Sequence, residues 1–153
     1  MIGEASICRM ESERVEIAGM SEQLRAESLQ ASLTVADLER SAAWYVDVLG
    51  FVVEQRHERN ETLIAVTLRA GAVQILLTRD DGAKGLERKK GEGMSLQVTT
   101  TQDADSLATA IKARGGTLDT EPITAPHGAR VFRLRDPDGF RLTISAVPQP
   151  HQR

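Results

Sequence analysis

Residues 29–51 read LQASLTVADLERSAAWYVDVLGF. Leu29, Ala31, Leu33 and Val35 alternate with Gln30, Ser32 and Thr34, the two-residue period of a strand with one buried side. Beyond Ala36-Asp37 the period changes. Leu38, Ala42, Tyr45, Val46 and Leu49 recur at three- and four-residue spacing, and Gly50 stands where a helix C-terminal glycine belongs, which predicts a helix over about 37–49. Three β-prone runs follow at 51–57, 62–69 and 72–78, separated by the polar residues 58–61 and by Ala70-Gly71. The segment is a β-α-β-β-β unit.

The same pattern then restarts after the glycine- and charge-rich stretch 79–93. Met94, Leu96 and Val98 alternate with Ser95, Gln97 and Thr99. Ala104, Leu107, Ala108 and Ile111 mark a helix that ends at Arg114-Gly115-Gly116, and runs at 117–120, 129–135 and 140–146 supply three more strands, the last two joined by Asp136-Pro137-Asp138-Gly139. Val35 matches Val98, Gly50 matches Gly116, Val66 matches Phe132 and Leu77 matches Ile144, at offsets of roughly 63 to 68 residues. A repeat of this size weighs more than any single motif in the chain.

Outward from the repeat, residues 1–27 form an N-terminal extension, read as a loose arm or a short helix over 21–27. Residues 28–147 form one domain with modules of about 28–80 and 92–147, and 148–153 form a tail. Single-domain size suits 153 residues with 41% hydrophobic and 27% charged content. A net charge of −3, with basic residues scattered among acidic ones, gives no face suited to neutralising phosphates, so nucleic acid is not an expected partner. No run approaches the length of a membrane span, and the acidic start lacks a signal-peptide layout. With a single cysteine, Cys8, no internal disulfide can form; we expect a cytoplasmic protein.

Three passages carry a family resemblance: 32–51, the Ala-Arg-Gly-Gly block 113–116, and residues 131–145, VFRLRDPDGFRLTIS. Together they resemble the glyoxalase / bleomycin resistance protein / extradiol dioxygenase superfamily, also called vicinal oxygen chelate, over about residues 29–147. The resemblance implies an α+β fold in which two βαβββ modules make a cup-shaped mixed sheet with the helices outside. It also implies dimerisation, with the modules paired within a chain or exchanged between chains. The superfamily spans lyases, isomerases, dioxygenases, thiol transferases and drug-binding proteins, so function has to be argued from the cup.

If the apolar sides of the strands meet the helices, the opposite sides line the cup. The candidate ligand-binding residues are Gln30, Ser32, Gln74, Ser95, Gln97, Arg133, Arg141 and Thr143, with His127 at the rim. Family enzymes hold a divalent metal by His, Gln and Glu side chains, and the resemblance aligns those positions with Gln30, Leu76 or Ile75, Gly93 and Thr143. An amide, a hydroxyl and two positions without donors are a poor set for a divalent ion, so no metal and no cofactor are expected. The inferred face carries no carboxylate or histidine; a general base would come from Glu54, His57, Glu61 or His127. Arg133 and Arg141 lie on neighbouring strands, where their guanidinium forks can grip a carboxylate or phosphate or, alternatively, extend to the open edge or form salt bridges with a partner subunit. Trp44 and Phe140 are the aromatics left for stacking a flat ligand, and Trp44 suits helix packing or a dimer contact better than a ligand platform. The sequence expectation is a small polar, anionic ligand bound by a homodimer; the alternative is a metal-dependent lyase, isomerase or dioxygenase of the same superfamily.

Overall fold

A computed structural model describes residues 23–85 and 87–147. Residues 23–30 approach the first strand without helix or strand structure, and the rest of the expected extension and the tail lie outside the described residues. The order is β1 (Ala31–Val35), α1 (Leu38–Trp44) running on as a π-helical turn over Tyr45–Leu49, β2 (Val52–Arg59), β3 (Thr62–Ala70) and β4 (Val73–Arg79). The second module repeats it with β5 (Leu96–Thr100), α2 (Ala104–Ala113), β6 (Leu118–Thr124), β7 (Arg130–Arg135) and β8 (Arg141–Ala146). Each module makes one four-stranded mixed sheet, β1-β4-β3-β2 and β5-β8-β7-β6, with one parallel pair in each, β1 on β4 and β5 on β8. This is the α+β, doubled βαβββ architecture expected from the repeat.

Local chemistry explains the element ends. The Asp37 carboxylate accepts from the Arg40 N–H at 3.1 Å and caps α1, and Asp103 does the same for α2 through the Ser106 N–H at 2.9 Å. Gly50, at φ +85°, closes the π turn in a left-handed conformation that a side chain would strain. The wider turn buries both Tyr45 and Val48. Strand β6 runs through Pro122, tolerated because β6 is an edge strand with nothing to receive its missing N–H.

The register of the repeat is also visible. Val66 and Phe132 are equivalent, each opposite the matched pair Leu77 and Ile144. On the first strands, however, Leu33 lies opposite Leu77 and Val98 opposite Ile144, so Val98 matches Leu33 rather than Val35. A two-residue slip preserves the face, which is why alternation alone does not reveal it.

One apolar core serves both modules. Leu33, Val66, Leu68, Leu77, Phe132, Leu134 and Leu142 from the sheets pack in a single cluster with Tyr45, Val48, Ala108 and Ile111 from the helices. Gly116 marks the tightest approach. A β-carbon there would lie 2.5 Å from Ile111 Cγ2 and 2.7 Å from Val48 Cγ1, so only a glycine lets the π turn and the end of α2 meet.

A polar junction reinforces this contact. The Tyr45 hydroxyl donates to Asp136 Oδ2 at 2.9 Å, and Asp136 Oδ1 accepts the N–H groups of Asp138 and Phe140. Asp138 in turn accepts from the Ala36 N–H and the Ser41 hydroxyl. Lys90, in the connection between modules, reaches Asp80 Oδ2 at 2.7 Å and Asp138 Oδ1 at 3.6 Å, with all three side chains largely buried. The modules are therefore joined through helices and turns, while the sheet faces opposite the core remain open.

Candidate functional site

On the open face of the second sheet, Gln97, Thr143 and Arg133 lie side by side across β5, β8 and β7. Ser95 adds its hydroxyl, 3.4 Å from Thr143 Oγ1, and Arg141 stands one side-chain row along β8. These residues line a shallow pocket of about 270 Å³ with Asp119. Alternation across a half-buried sheet puts them there: Leu134 and Leu142 between them point into the core. The Asp119 carboxylate is taken by Arg135, whose Nε donates to it at 2.8 Å. Among the described residues no carboxylate pairs with Arg133 or Arg141, which leaves two exposed guanidinium groups beside three neutral hydrogen-bonding side chains.

The open face of the first sheet is chemically different. Ser32 lies opposite Leu76, Leu76 opposite Thr67, and Thr34 contacts Thr78 at 3.2 Å. Gln74 lies opposite Arg69, and both donate to the Glu54 carboxylate, Arg69 Nε at 3.0 Å. Those two donors hold the Glu54 carboxyl below the usual carboxylate range. His57 Nε2 lies 3.2 Å from Thr67 Oγ1. Glu54 reaches this face because it sits in a bulge between Val53 and Gln55, whereas Arg56 turns the other way to pair with Glu39 of α1 at 2.7 Å. A strict two-residue period puts Glu54 and Arg56 together, so the bulge had no signal in the pattern.

The remaining candidates are dispersed. Gln30 is exposed just before β1, and Gly93 is exposed in the turn before β5. His127 is exposed in the β6–β7 turn, beyond the far end of β7 from Arg141; the Arg130-to-Arg133 stretch alone is about 10 Å at the strand rise per residue. Trp44 is half-buried and meets the Tyr45 ring edge-on with centroids 5.0 Å apart, and Phe140 is buried, so both serve packing. Among the described residues no three His, Cys, Asp or Glu side chains cluster as a metal site would require, and no helix is long and apolar enough to cross a membrane.

The architecture has counterparts among known proteins. The family model for the Glyoxalase/Bleomycin resistance protein/Dioxygenase superfamily matches residues 28–144. The chain belongs to that superfamily. It is 28% identical over 130 residues to a probable lactoylglutathione lyase of Vibrio cholerae, covering 80% of this chain and 92% of the relative. It is 30% identical over 120 residues to a lactoylglutathione lyase of Haemophilus influenzae, covering 74% and 87%. Among solved structures, a member of the same superfamily from Sphaerobacter thermophilus superposes with a TM-score of 0.62 at 27% identity, covering 80% of this chain and 98% of the other.

Superfamily membership makes the internal register informative about the aligned metal positions. Gln30 lies two residues before Ser32, the partner of Leu76. The equivalent place in the second module is two residues before Gln97, the partner of Thr143, and that residue is Ser95 rather than Gly93. The four side chains at these positions are thus an amide, a hydrocarbon and two hydroxyls.

Proposed function

We propose that the protein binds a small polar anion on the open face of the second sheet, and that it does so without the metal site of the superfamily's enzymes. The observation that carries this reading is the unpaired couple Arg133 and Arg141 beside Ser95, Gln97 and Thr143. A guanidinium fork matches a carboxylate or phosphate in geometry as well as charge, and the neutral side chains between the two arginines orient whatever they hold. The donor set supports the second half of the proposal. Gln30, Leu76, Ser95 and Thr143 bring no charge and only three oxygen donors, a poor match for a divalent cation that favours carboxylate or imidazole ligands. A second copy of the chain would bring the same four side chains, so exchange of modules does not repair the set.

Both open faces lie bare in the single chain, with Glu54, Arg69 and Gln74 hydrogen-bonded together on the first and Arg133 and Arg141 exposed on the second. We therefore propose a homodimer in which the first-module face of one copy covers the second-module face of another, making a cup with one wall that carries the Glu54–Arg69 ion pair and one cationic wall. Cytoplasmic placement fits the single cysteine.

A second reading is favoured by the relatives called lactoylglutathione lyases at 28% and 30% identity: a metal-dependent lyase, isomerase or dioxygenase. Metal content of the purified chain after incubation with divalent ions and desalting separates the two. The binder reading expects no ion near one per chain, with a rise in melting temperature caused by small carboxylates or phosphates and abolished in Arg133→Ala and Arg141→Ala. Stoichiometric retained metal, or equal ligand affinity in wild type and both variants, overturns it.

A further inference from the structure

A larger cavity lies elsewhere, between the modules, with a volume of about 590 Å³. One wall is the end of the π turn with Phe51 and the β3–β4 turn; the other is the end of β5, the Leu107–Ile111 side of α2 with Arg114, and β8. The crevice exists because its first wall is built from Gly50, Ala70, Gly71 and Ala72, side chains too small to fill the gap where the modules diverge from their contact at Gly116. It reaches down to the shared core: Phe51, Ile111, Leu142 and Ile144 line it and are buried. Its volume falls in the range of cavities that hold small organic ligands, roughly 300 to 1,000 Å³.

The mouth carries one charge. Arg114, the residue that caps α2, lines the crevice, and among the described residues its guanidinium has no acidic partner. The negative end of a helix accounts for a cation at this position. It does not account for the crevice beneath it, whose floor is formed by Phe51, Ile111, Leu142 and Ile144. A crevice with an apolar floor, edged by the polar 99–102 end of β5 and by a guanidinium with no acidic partner among the described residues, complements a molecule with a hydrocarbon body and one anionic end. None of the residues that hold the polar anion on the second sheet takes part.

We infer that this crevice is a second binding site, for an amphipathic carboxylate of medium chain length, its hydrocarbon against Phe51, Ile111 and Ile144 and its carboxylate on Arg114. Octanoate is the probe, titrated calorimetrically into the full chain beside octan-1-ol, which has the same tail and no charge. Saturable octanoate binding is expected, weaker by about tenfold in Arg114→Ala, the size of one charge-assisted hydrogen bond. Binding is expected to be lost in Ala72→Trp, which fills the crevice from an exposed turn and whose folding circular dichroism checks. Arg133→Ala is expected to bind octanoate as wild type does. Absence of saturable binding, or equal affinity in Arg114→Ala, overturns the assignment. Loss in Arg133→Ala would move octanoate to the second sheet and overturn it as well. A dimer that Ala72→Trp converts to monomer, with no octanoate bound, would give the crevice to a second copy of the chain.

Discussion

At the junction between modules, Tyr45 and Asp136 show how much rests on single atoms. Burial, together with the charges of Asp136 and Asp138, pushes the Tyr45 hydroxyl far above the ordinary tyrosine value, while burial raises the Asp136 carboxyl against the pull of its donors. Tyr45 is the only tyrosine, so tyrosinate absorbance reports it alone. A raised acid favours the protonated folded form; its contribution is full below the ordinary value of 10.0 and is lost as pH rises beyond it. The expected outcome is no tyrosinate signal until the circular dichroism of the fold is lost, the two transitions coinciding. Tyr45→Phe removes the donor from Asp136 Oδ2 and should cost about 1–3 kcal/mol in a denaturant titration. Asp80 behaves oppositely. Hydrogen bonding to Lys90 and to the Gly82 N–H holds its carboxyl below 3.8, so its contribution is present above 3.8 and disappears as pH falls through the lower folded value. The stability gap between wild type and Asp80→Asn should therefore narrow in acid; a gap constant with pH would remove the charge from the account. In the sequence Tyr45 is legible as a helix-face residue, but its hydroxyl partner lies 91 residues away and no local pattern points to it.

Elements were more legible than residues. Strand and helix order follows from hydrophobic periodicity, because each strand buries one side and each helix one stripe. Three features escaped that logic for identifiable reasons. The π turn over Tyr45–Leu49 has the same apolar spacing in sequence as an α-helix, so its wider i→i+5 hydrogen bonding leaves no mark in the pattern. The bulge that reorients Glu54 adds one residue to β2 without changing its composition. The slip that makes Ser95, rather than Gly93, the counterpart of Gln30 leaves every residue on its face. The arginines of the second sheet were legible because β7 and β8 alternate cleanly, and their place beside Gln97 and Thr143 follows from the ladder. Gly116 tests the packing of elements directly. Gly116→Ala should cost about 1–3 kcal/mol, read as a lower denaturant midpoint with an unchanged slope, because the new methyl group enters space held by Val48 and Ile111.

Across the whole molecule, duplication has produced two like scaffolds with unlike open faces. One gathers Glu54 with its donors Arg69 and Gln74; the other leaves Arg133 and Arg141 without counterions among the described residues. If two chains cover these faces reciprocally, sedimentation should report a dimer, and reversing charge with Arg133→Glu should weaken both association and anion binding; a strictly monomeric wild type would leave each face to work alone. The shared core has another consequence. Because the modules are held by the packing of helix on helix, by Tyr45 on Asp136 and by Lys90 on Asp80 and Asp138, the exposed stretch around Arg88 and Lys89 is not what keeps them together. Brief trypsin treatment there should yield two pieces that travel as one through a sizing column and part only in denaturant. The halves are then candidates for expression as separate chains that find each other by complementation, a fold divisible at its seam.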